Sequence, residues 1–546
     1  MRTHYPRTPH LPWSPGAAPD DIRTGDLSGL IGREVVVTEK LDGENTTLYA
    51  DGLHARSLDS AHHPSRTRVK ALQGRIGHLI PPGWRVCGEN MYARHSLAYD
   101  ALAGHFYGFS VWDDRNNCLS WDRTVEFLRG AGIPVPAVLW RGVYDERAIR
   151  GLKVDPARRE GYVVRPADGF PMAEFGERLA KWVRPGHVQT DTHWMHSAAV
   201  PNRLGPAAAL WDVRSGAAAD PGALGAYLGR ELSGPVYEDG RLGDLRLAGV
   251  LASLLHREPR GTLAGRLRAK LGMGLARRVA DLVGAAEGLQ RPYPDEERRA
   301  GLIRLSYAAD LGLAHGVAQA VAETDEAREQ VEWSALYAAE IGPPPLGDLR
   351  GRCRAEAREA YALGRIRTPE EAVAATWRWR DGDFPELIQL VGPSGSGKST
   401  FAAGLEAGVR VSLDELRESA GDRGDQRGNA RVLRTGLERL DAALAAGGTV
   451  VWDATSLNRR QRGHVQAVAR RRNALVTHAV VLVDEDELTR RNAGRAHAVP
   501  AEVLASQLRR FSPPYAGEAH RTWYIGPGGT IEDSDNDSGG GTHADQ

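Results

Sequence analysis

The chain has 546 residues, 41% of them hydrophobic, and its 70 basic residues balance its 70 acidic ones. This length suffices for roughly two to four domains, and a balanced charge does not by itself indicate a nucleic-acid partner. The three cysteines, Cys87, Cys118 and Cys353, are too few and too far apart for a disulfide framework or a Cys-x-x-Cys metal site. The first residues lack the apolar core of a signal peptide, and no apolar run approaches the roughly 20 residues of a membrane span. We therefore expect a cytoplasmic protein with reduced thiols and no membrane contact.

The first element that suggests chemistry is a lysine at the end of a β run. Val35-Val36-Val37 has the β-branched density of a buried strand, and residues 45–49 predict a second strand after a turn. Lys40, followed by Leu41-Asp42-Gly43, therefore lies where its side chain can project into a cleft. A lysine beside acidic residues is more often a solvated surface pair, so these residues alone do not decide.

Short β runs separated by Gly, Pro and Asp continue to about residue 200. Each of these runs carries a residue type that a site could use, although each alone more often serves the fold. The runs are Arg56-Ser57, the strand 85–92 with Glu89, the strand 106–112 with Phe106 and Phe109, the run 160–165 that begins Glu160-Gly161, and 180–184 with Lys181.

Taken together and in this order, these pieces resemble the ATP-dependent RNA ligases of the covalent nucleotidyltransferase family. That family has a first motif Lys-x-Asp-Gly, followed by a Glu-Gly pair and a lysine-bearing strand. The resemblance covers about residues 1–200 and implies an α+β, ATP-grasp-like nucleotidyltransferase domain. It implies that Lys40 attacks the α-phosphorus of ATP, releases pyrophosphate and becomes lysyl-AMP. Only an unprotonated amine attacks, so Lys40 needs its pKa lowered by nearby cations, including a bound metal.

The resemblance also implies how the nucleotide is held. It assigns Arg56 to the ribose and phosphate side, Glu89 to the ribose hydroxyls and Phe106 to stacking on adenine. Phe109, on the same strand, is a weaker candidate for the stacking role.

Two further motif residues match a metal site and a phosphate site. Glu160 is the matching carboxylate near a divalent metal, for which Mg²⁺ suits oxygen ligands and phosphates. Lys181 is the matching cation for the α-phosphate. Related ligases often carry a second lysine two residues later, where this chain has Val183, and Arg184 is the candidate substitute.

From about residue 201 to 380 the pattern becomes helical. One apolar stripe with helical spacing consists of Leu247, Val250, Leu251, Leu254 and Leu255. A second helix is predicted from leucines that recur every four residues at 263, 267, 271 and 275. The basic residues Arg266, Arg268, Lys270, Arg277 and Arg278 are expected on faces left for water. A capping box at Thr368-Pro369-Glu370-Glu371 predicts a last helix to about Trp379. We predict an all-α middle domain that binds RNA or only spaces its neighbours.

A complete P-loop follows the strand Leu387–Val391. Its glycines Gly392, Gly395 and Gly397 and the start of the next helix would cradle phosphates with backbone amides. In this motif Lys398 reaches the β- and γ-phosphates, and Ser399, followed by Thr400, meets Mg²⁺.

The residues after the P-loop suggest what it phosphorylates. Asp414 lies three residues before Arg417 at a predicted helix start, a spacing that commonly makes a surface pair. After a P-loop it resembles the 5′-hydroxyl polynucleotide kinases, over about residues 385–525. The resemblance implies that Asp414 activates the acceptor hydroxyl and that Arg417 binds the neighbouring phosphate. It also assigns Asp453 to the metal or the acceptor, and Arg491 and Arg495 to a clamp on the donor phosphates.

Two features remain open. A basic cluster is either a track for a polynucleotide backbone or a solvated helix, and it consists of Arg459, Arg460, Arg462, Arg470, Arg471 and Arg472. Residues 527–546, which are acidic and then glycine-rich, predict a disordered tail.

The sequence therefore predicts an α+β ligase domain (1–200), an all-α domain (201–380), an α/β P-loop kinase domain (381–526) and a tail. Two ATP-using modules suggest one pathway, in which the kinase installs a 5′-phosphate on broken RNA and the ligase seals it to a 3′-hydroxyl. The sequence does not indicate a protein partner, and it contains no Asp-x-Asp-Gly-Thr signature of a 3′-phosphatase. The alternatives are DNA repair by the same chemistry and an RNA-binding regulator switched by nucleotide.

Overall fold

The computed structural model describes residues 2–58, 63–186, 199–341, 351–379, 384–419, 429–495 and 498–535. The chain divides into two compact units: Met1–Leu232 with Glu238–Leu247, and Ser233–Tyr237 with Ala248–Gln546. The predicted boundaries near residues 200 and 380 fall within these units, and residues 380 and 381 lie outside the described ones. The three-domain division therefore stays a prediction.

The strand that ends in Lys40 is central in the first sheet of unit 1. This strand, β1 (Glu34–Lys40), runs antiparallel to its two neighbours and is buried from Val35 to Thr38, as its β-branched residues predict. The sheet has four strands, ordered β10 (Ala180–Val183), β8 (Gly161–Pro166), β1 and β7 (Val138–Val143).

A three-residue turn leads from β1 into the second sheet of unit 1. This sheet is antiparallel and has the order β3 (Gly52–Ala55), β2 (Glu44–Tyr49), β4 (Arg85–Asn90), β5 (Phe106–Trp112), β6 (Asn117–Cys118) and β9 (Phe170–Pro171). Lys40 is thus the last residue of a strand in one sheet, and Glu44 is the first residue of a strand in the other. The predicted strands are confirmed, and the turn between them is held at each end by a strand of a sheet.

Short helices complete unit 1. They are α1 (Thr67–Ile76), α2 (Trp121–Gly130), α3 (Glu146–Arg150), α4 (Phe175–Arg178), α5 (Ala208–Arg214) and α6 (Pro221–Leu228). Helices α1 and α2 cover one face of the second sheet, where Leu72, Leu128 and Phe106 share a core.

The helical middle region is confirmed. Its helices are α7 (Gly243–Leu254), in which the chain passes from the first unit to the second, α8 (Arg260–Leu271), α9 (Met273–Leu289), α10 (Asp295–Leu305), α11 (Leu311–Val321), α12 (Asp325–Glu340), α13 (Gly351–Ala362) and α14 (Pro369–Thr376). The stripe from Leu247 to Leu255 is buried as predicted, and Thr368 and Glu371 form the predicted capping box. The leucine repeat at 263–275 is not one helix, because Gly272 at φ +76° ends α8 before Leu275.

The P-loop sheet is parallel apart from its last strand. It has the order β12 (Val409–Ser412), β13 (Thr449–Asp453), β11 (Glu386–Val391), β14 (Leu475–Val481), β15 (Arg521–Ile525) and β16 (Ile531–Ser534). The helices that accompany it are α15 (Lys398–Ala403), α16 (Leu413–Ser419), α17 (Asn429–Ala445), α18 (Arg459–Arg471), α19 (Glu485–Ala493) and α20 (Ala501–Arg510). Buried parallel strands with helices between them are the arrangement that the sequence predicts.

The prediction that disorder begins at residue 527 is wrong. Strand β16 pairs antiparallel with β15, so residues up to Asp535 are ordered by a ladder of backbone hydrogen bonds. The rest of the predicted tail, 536–546, lies outside the described residues. Cys87, Cys118 and Cys353 are all described and are buried free thiols. Among the described helices, none has the length and apolar character needed to cross a membrane.

Candidate active sites

The turn that carries Lys40 is held from both sides. Asp42 Oδ2 accepts hydrogen bonds from Ser96 N (2.9 Å), Ser96 Oγ (2.6 Å) and Leu97 N (2.8 Å). A Cβ on Gly43 would lie 2.6 Å from the carbonyl oxygen of Asn90, closer than real Cβ atoms approach. The Asp and the Gly of the Lys-x-Asp-Gly motif therefore fix the backbone beside the amine.

Lys40 forms an ion pair with Glu160. Its Nζ lies 2.6 Å from Glu160 Oε2, and the Glu160 side chain is only 1% exposed. The next residue must be a glycine, because a Cβ on Gly161 would overlap the carbonyl oxygen of Trp182. Burial alone would lower the pKa of Lys40, but Glu160, Glu89 and Asp42 together raise it above the usual lysine value. Without nucleotide, the amine is therefore a paired ammonium.

Three more predicted residues surround this pair. Glu89 accepts a hydrogen bond from Gly43 N (3.2 Å), and burial, with help from Glu160, raises the pKa of Glu89 above its usual value against the opposing charge of Lys40. Burial and the charge of Lys40 lower the pKa of Lys181 to about 8, and the exposed Arg56 acts in the same direction. The structure thus brings Lys40, Glu89, Glu160, Lys181 and Arg56 into one electrostatic cluster.

The predicted stacking role of Phe106 is contradicted. Phe106 is 3% exposed and lies in the core beneath α1 and α2. Asn90 pairs with Phe106, and Glu89 with Tyr107, so Glu89 and Phe106 point to opposite faces of the sheet. Strand membership alone did not reveal the face, because a bulge shifts the register between Cys87 and Gly88.

The structure adds residues that the sequence did not single out. His10 Nδ1 lies 2.9 Å from Ser14 Oγ, and His10 Nε2 lies 3.3 Å from Asp21 Oδ2. The backbone on either side of His10 is hydrogen bonded to Lys181, through Pro9 O and Leu11 N. Neither His10 nor Asp21 belongs to a motif, so the sequence carried no signal for them.

A second addition is a buried ion pair under the Lys40 turn. Arg66 makes a bidentate contact with Glu44, and both side chains are less than one-tenth exposed. The position of Glu44 directly after Gly43 was the only signal in the sequence, since Arg66 lies in no predicted motif.

In unit 2 the P-loop backbone has the expected conformation. Gly392, Gly395 and Gly397 have φ of +152°, +84° and +103°, which favour glycine. Lys398 is 7% exposed, and its Nζ donates to Pro393 O at 2.7 Å. Ser399 and Thr400 are exposed in the first turn of α15.

Predicted kinase residues surround Lys398. Burial and the charge of Arg495 lower the pKa of Lys398 to about 8, against the opposing charges of Asp453 and Asp414. Asp414 pairs with Arg417 as its spacing predicts. Asp453 also pairs with Arg410, a contact that the sequence does not predict because Arg410 belongs to no motif.

Arg491 lies along the P-loop. Its NH1 group is 3.4 Å from Ser396 O, its NH2 group donates to Pro527 O at 2.9 Å, and its Nε donates to Glu487 at 2.6 Å. Gln507 was not predicted either, and it accepts a hydrogen bond from the P-loop amide of Ser394 at 2.8 Å.

The basic cluster on α18 is not a continuous surface track. Arg462 is 1% exposed and pairs with Glu518, while Arg471 and Arg472 pair with Asp441. Only part of the cluster therefore faces solvent without a carboxylate. Over the described part of the chain, no group of three or more His, Cys, Asp or Glu side chains is arranged to hold a metal ion.

Two family models match the chain. Residues 33–183 match the RNA ligase family, and residues 387–514 match an AAA domain family. Among curated proteins, none matches the chain.

Several solved structures overlap parts of the chain. A chain of the Pnkp1/Rnl/Hen1 RNA repair complex is 23% identical over 24% of this chain and 46% of its own length, with a TM-score of 0.22. A Naegleria gruberi RNA ligase mutant with ATP and Mn is 19% identical, over 29% of this chain and 51% of its own, with a TM-score of 0.22. A Janibacter sp. HTCC2649 sugar kinase is 23% identical, over 26% of this chain and 86% of its own, also with a TM-score of 0.22.

This chain spans less than half the length of the matching chain in the repair complex. The two family matches coincide with the Lys40 cluster and with the P-loop. The chain therefore carries an RNA ligase domain at residues 33–183 and an AAA-type P-loop domain at residues 387–514, with a helical region between them.

Proposed function

We propose that this protein is a bifunctional RNA repair enzyme. One site phosphorylates 5′-hydroxyl RNA ends, and the other seals 5′-phosphate to 3′-hydroxyl ends through lysyl-AMP. The observation that carries the proposal is the Lys40 amine held 2.6 Å from the buried Glu160, within the segment that matches RNA ligases. A separate P-loop supplies a second nucleotide site in the same chain.

In the ligase site, Lys40 would act as the nucleophile towards the α-phosphorus of ATP. It rests as an ammonium, so binding of nucleotide must displace or neutralise the Glu160 carboxylate before the amine can lose its proton. Lys181, with its pKa lowered to about 8, remains mostly protonated at neutral pH and can attract the phosphate. Arg56 adds positive charge on the same side. Phe106 is not part of this proposal.

In the kinase site, the proposal gives Asp414 the role of accepting the proton of a 5′-hydroxyl. Lys398 would contact the β- and γ-phosphates, while Arg491 and Arg495 would stabilise the charge that develops on the transferred group. Arg417, paired with Asp414 in the structure, would move to the phosphate beside the acceptor.

Both sites fit Mg²⁺ bound together with ATP. Magnesium usually keeps water and phosphate ligands and takes only one or two carboxylates. Glu160 is a buried carboxylate at the ligase amine, and Asp453 is a nearly buried carboxylate beside Lys398. With Ser399, these are the candidate ligands, and the metal would supply charge neutralisation at the phosphates.

The test uses labelled single-stranded RNA with 5′- and 3′-hydroxyl ends, together with ATP and Mg²⁺. The wild-type chain is expected to give circles or multimers. Lys40→Ala should stop at the 5′-phosphorylated strand, whereas Lys398→Ala or Asp414→Ala should join only strands phosphorylated beforehand. Lys153→Ala, at an exposed lysine of unit 1, serves as the matched control and should retain both activities.

Loss of both activities in any one of the three active-site variants would contradict two separate sites. A strand that is phosphorylated but not joined would support the proposed kinase activity and would indicate that the ligase needs a nicked or folded RNA as its substrate. Matched DNA strands separate RNA from DNA repair. A protein that only switches shape with nucleotide would form no lysyl-AMP and would behave the same with Lys40→Ala.

A further inference from the structure

Helix α8 of the helical middle region packs against the backbone that carries Arg491. A Cβ on Gly265 would lie 2.6 Å from Val483 O, and a Cβ on Gly261 would overlap Phe511 O. Val483 precedes α19, and Phe511 follows α20. Small residues on α8 thus allow close packing at both ends of the chain segment that bears Arg491.

Two arginines of α8 add charged contacts at the same place. Arg266 Nε donates to Glu485 Oε2 at 2.6 Å, at the first residue of α19. Arg268 makes a bidentate ion pair with Glu532 on β16. Both arginines are less than one-third exposed, so the expectation that they face water is wrong.

The Arg268–Glu532 pair lies directly over the turn between β15 and β16. A Cβ on Gly526, the first residue of that turn, would overlap the Glu532 carboxylate. The turn is closed by hydrogen bonds from Gly526 N to Thr530 O (3.1 Å) and from Gly529 N to Gly526 O (3.0 Å). The position of Gly526 therefore depends on where Glu532 is held.

The next residue, Pro527, leads to the P-loop. Its carbonyl accepts the 2.9 Å hydrogen bond from Arg491, whose other terminal nitrogen is 3.4 Å from Ser396 O in the P-loop. Contacts thus run without a gap from Arg268, through Glu532, Gly526, Pro527 and Arg491, to the phosphate-binding backbone.

We propose that Arg268 is a positioning residue for phosphoryl transfer: by holding Glu532 over Gly526, it places the Pro527 carbonyl that orients Arg491 along the P-loop. This inference rests on the proposed kinase function. The helical region then has a specific role, because α8 helps to position an arginine of the kinase site. A bidentate arginine–carboxylate pair suits the task, because its two parallel hydrogen bonds fix direction as well as distance.

The experiment measures kcat and KM for ATP of the full chain with 5′-hydroxyl RNA, for wild type, Arg268→Ala, Arg491→Ala and the double variant. Arg268→Ala is expected to lower kcat/KM about 5- to 10-fold, and Arg491→Ala more. Because Arg268 acts through Arg491, the double variant should match Arg491→Ala alone. If Arg268 only stabilised the fold, it would act independently of Arg491, and the two losses in kcat/KM would multiply in the double variant.

Three controls complete the design. Glu532→Gln keeps the side-chain shape and should show the Arg268→Ala loss, and the exchanged pair Arg268→Glu with Glu532→Arg should recover much of the activity. Arg291→Ala, in an exposed ion pair with Glu287 at the far end of α9, should behave as wild type. Joining of strands phosphorylated beforehand should be unchanged in every variant.

Wild-type kinetics in Arg268→Ala, or multiplied losses in the double variant, would overturn the inference while leaving the kinase function in place. A wild-type chain that phosphorylates no 5′-hydroxyl end would overturn the proposed function itself, and this inference with it.

Discussion

Among the individual side chains of the Lys40 cluster, the resting charge of Lys40 is the property that matters most. The amine is surrounded by Glu160, Glu89 and Asp42, and these carboxylates outweigh burial in setting its pKa. The amine therefore carries a proton as long as these side chains stay charged. If Lys40 is the nucleophile that we propose, this arrangement would separate binding from chemistry, because the incoming phosphates and metal would have to compete with Glu160 for the amine.

This charge state can be measured without any turnover. We expect acetylation of Lys40 by acetic anhydride, followed by mass spectrometry in EDTA without ATP, to require a higher pH than is usual for lysine. Glu160→Gln removes the main opposing carboxylate, so burial then dominates and the labelling curve should move to lower pH. Labelling of the exposed Lys153 should not change. An unchanged Lys40 curve in Glu160→Gln would contradict the assigned cause.

A substitution at Gly43 tests the geometry of the turn that follows Lys40. In Gly43→Ala the new Cβ would lie 2.6 Å from Asn90 O and 3.0 Å from Glu89 Cγ, so the turn or Glu89 must shift. We expect formation of lysyl-AMP to fall at least about 10-fold, since displacements near 1 Å at a reacting group cost this much or more. Gly74→Ala on α1, where nothing lies within 4 Å, is the control. Equal adenylation rates in the two variants would show that the turn tolerates the methyl group.

Helix α18 shows how a basic helix can be partly structural. Arg462 donates to Ser512 O at 2.8 Å and to Glu518 at 2.9 Å, and its side chain is almost fully buried. It therefore ties α18 to the loop after α20, and it is not available to a polynucleotide.

We expect Arg462→Ala to lower the free energy of unfolding by about 2–4 kcal/mol, because a buried ion pair loses one partner. Arg460→Ala, at an exposed position of the same helix, should change it by less than about 0.5 kcal/mol. Denaturant unfolding followed by circular dichroism measures both. Similar values for the two variants would mean that Arg462 contributes no more than a surface residue.

Some of these elements and contacts could be predicted from the sequence, and others could not. The strands and the P-loop were predictable because β-branched runs and positive-φ glycines are local signals. The face on which Phe106 lies was not, since a bulge at Phe109, in the same strand, changes the alternation of side chains. The contacts of Arg266 with Glu485 and of Arg268 with Glu532 were not predictable either, because these partners are more than 200 residues away in the chain. Periodicity shows which face is apolar, but it does not show which polar residues find a distant carboxylate.

Buried histidines in both units indicate that the stability of the fold is sensitive to acid. Burial lowers the pKa of His10 and His105 to about 4 in unit 1, and the pKa of His478 and His520 to about 3 in unit 2. The unfolded chain binds these protons near pH 6.5, earlier than the folded chain does. Stability is therefore lost as pH falls from about 6.5 towards the folded values, by about 1.4 kcal/mol per pH unit for each histidine.

The prediction is a change in slope. Between pH 6 and 4.5, the unfolding free energy of His478→Gln should depend on pH less steeply than that of wild type, by nearly one proton. His464→Gln, at an exposed position of α18, should leave the slope unchanged. Asp535, with its pKa raised to about 6 by burial, acts in the opposite direction, so the difference between variants is the useful quantity. An unchanged slope in His478→Gln would contradict the prediction.

The glycine contacts of α8 also decide where this chain can be cut. A fragment beginning at residue 381, where the sequence suggests a boundary, would strip α8 from Val483 and Phe511 and leave Glu485 and Glu532 without their arginines. Such a fragment would expose apolar surface and aggregate, even though it contains every P-loop residue. The shortest piece expected to fold around the nucleotide site begins near Ala248, where unit 2 begins its continuous run.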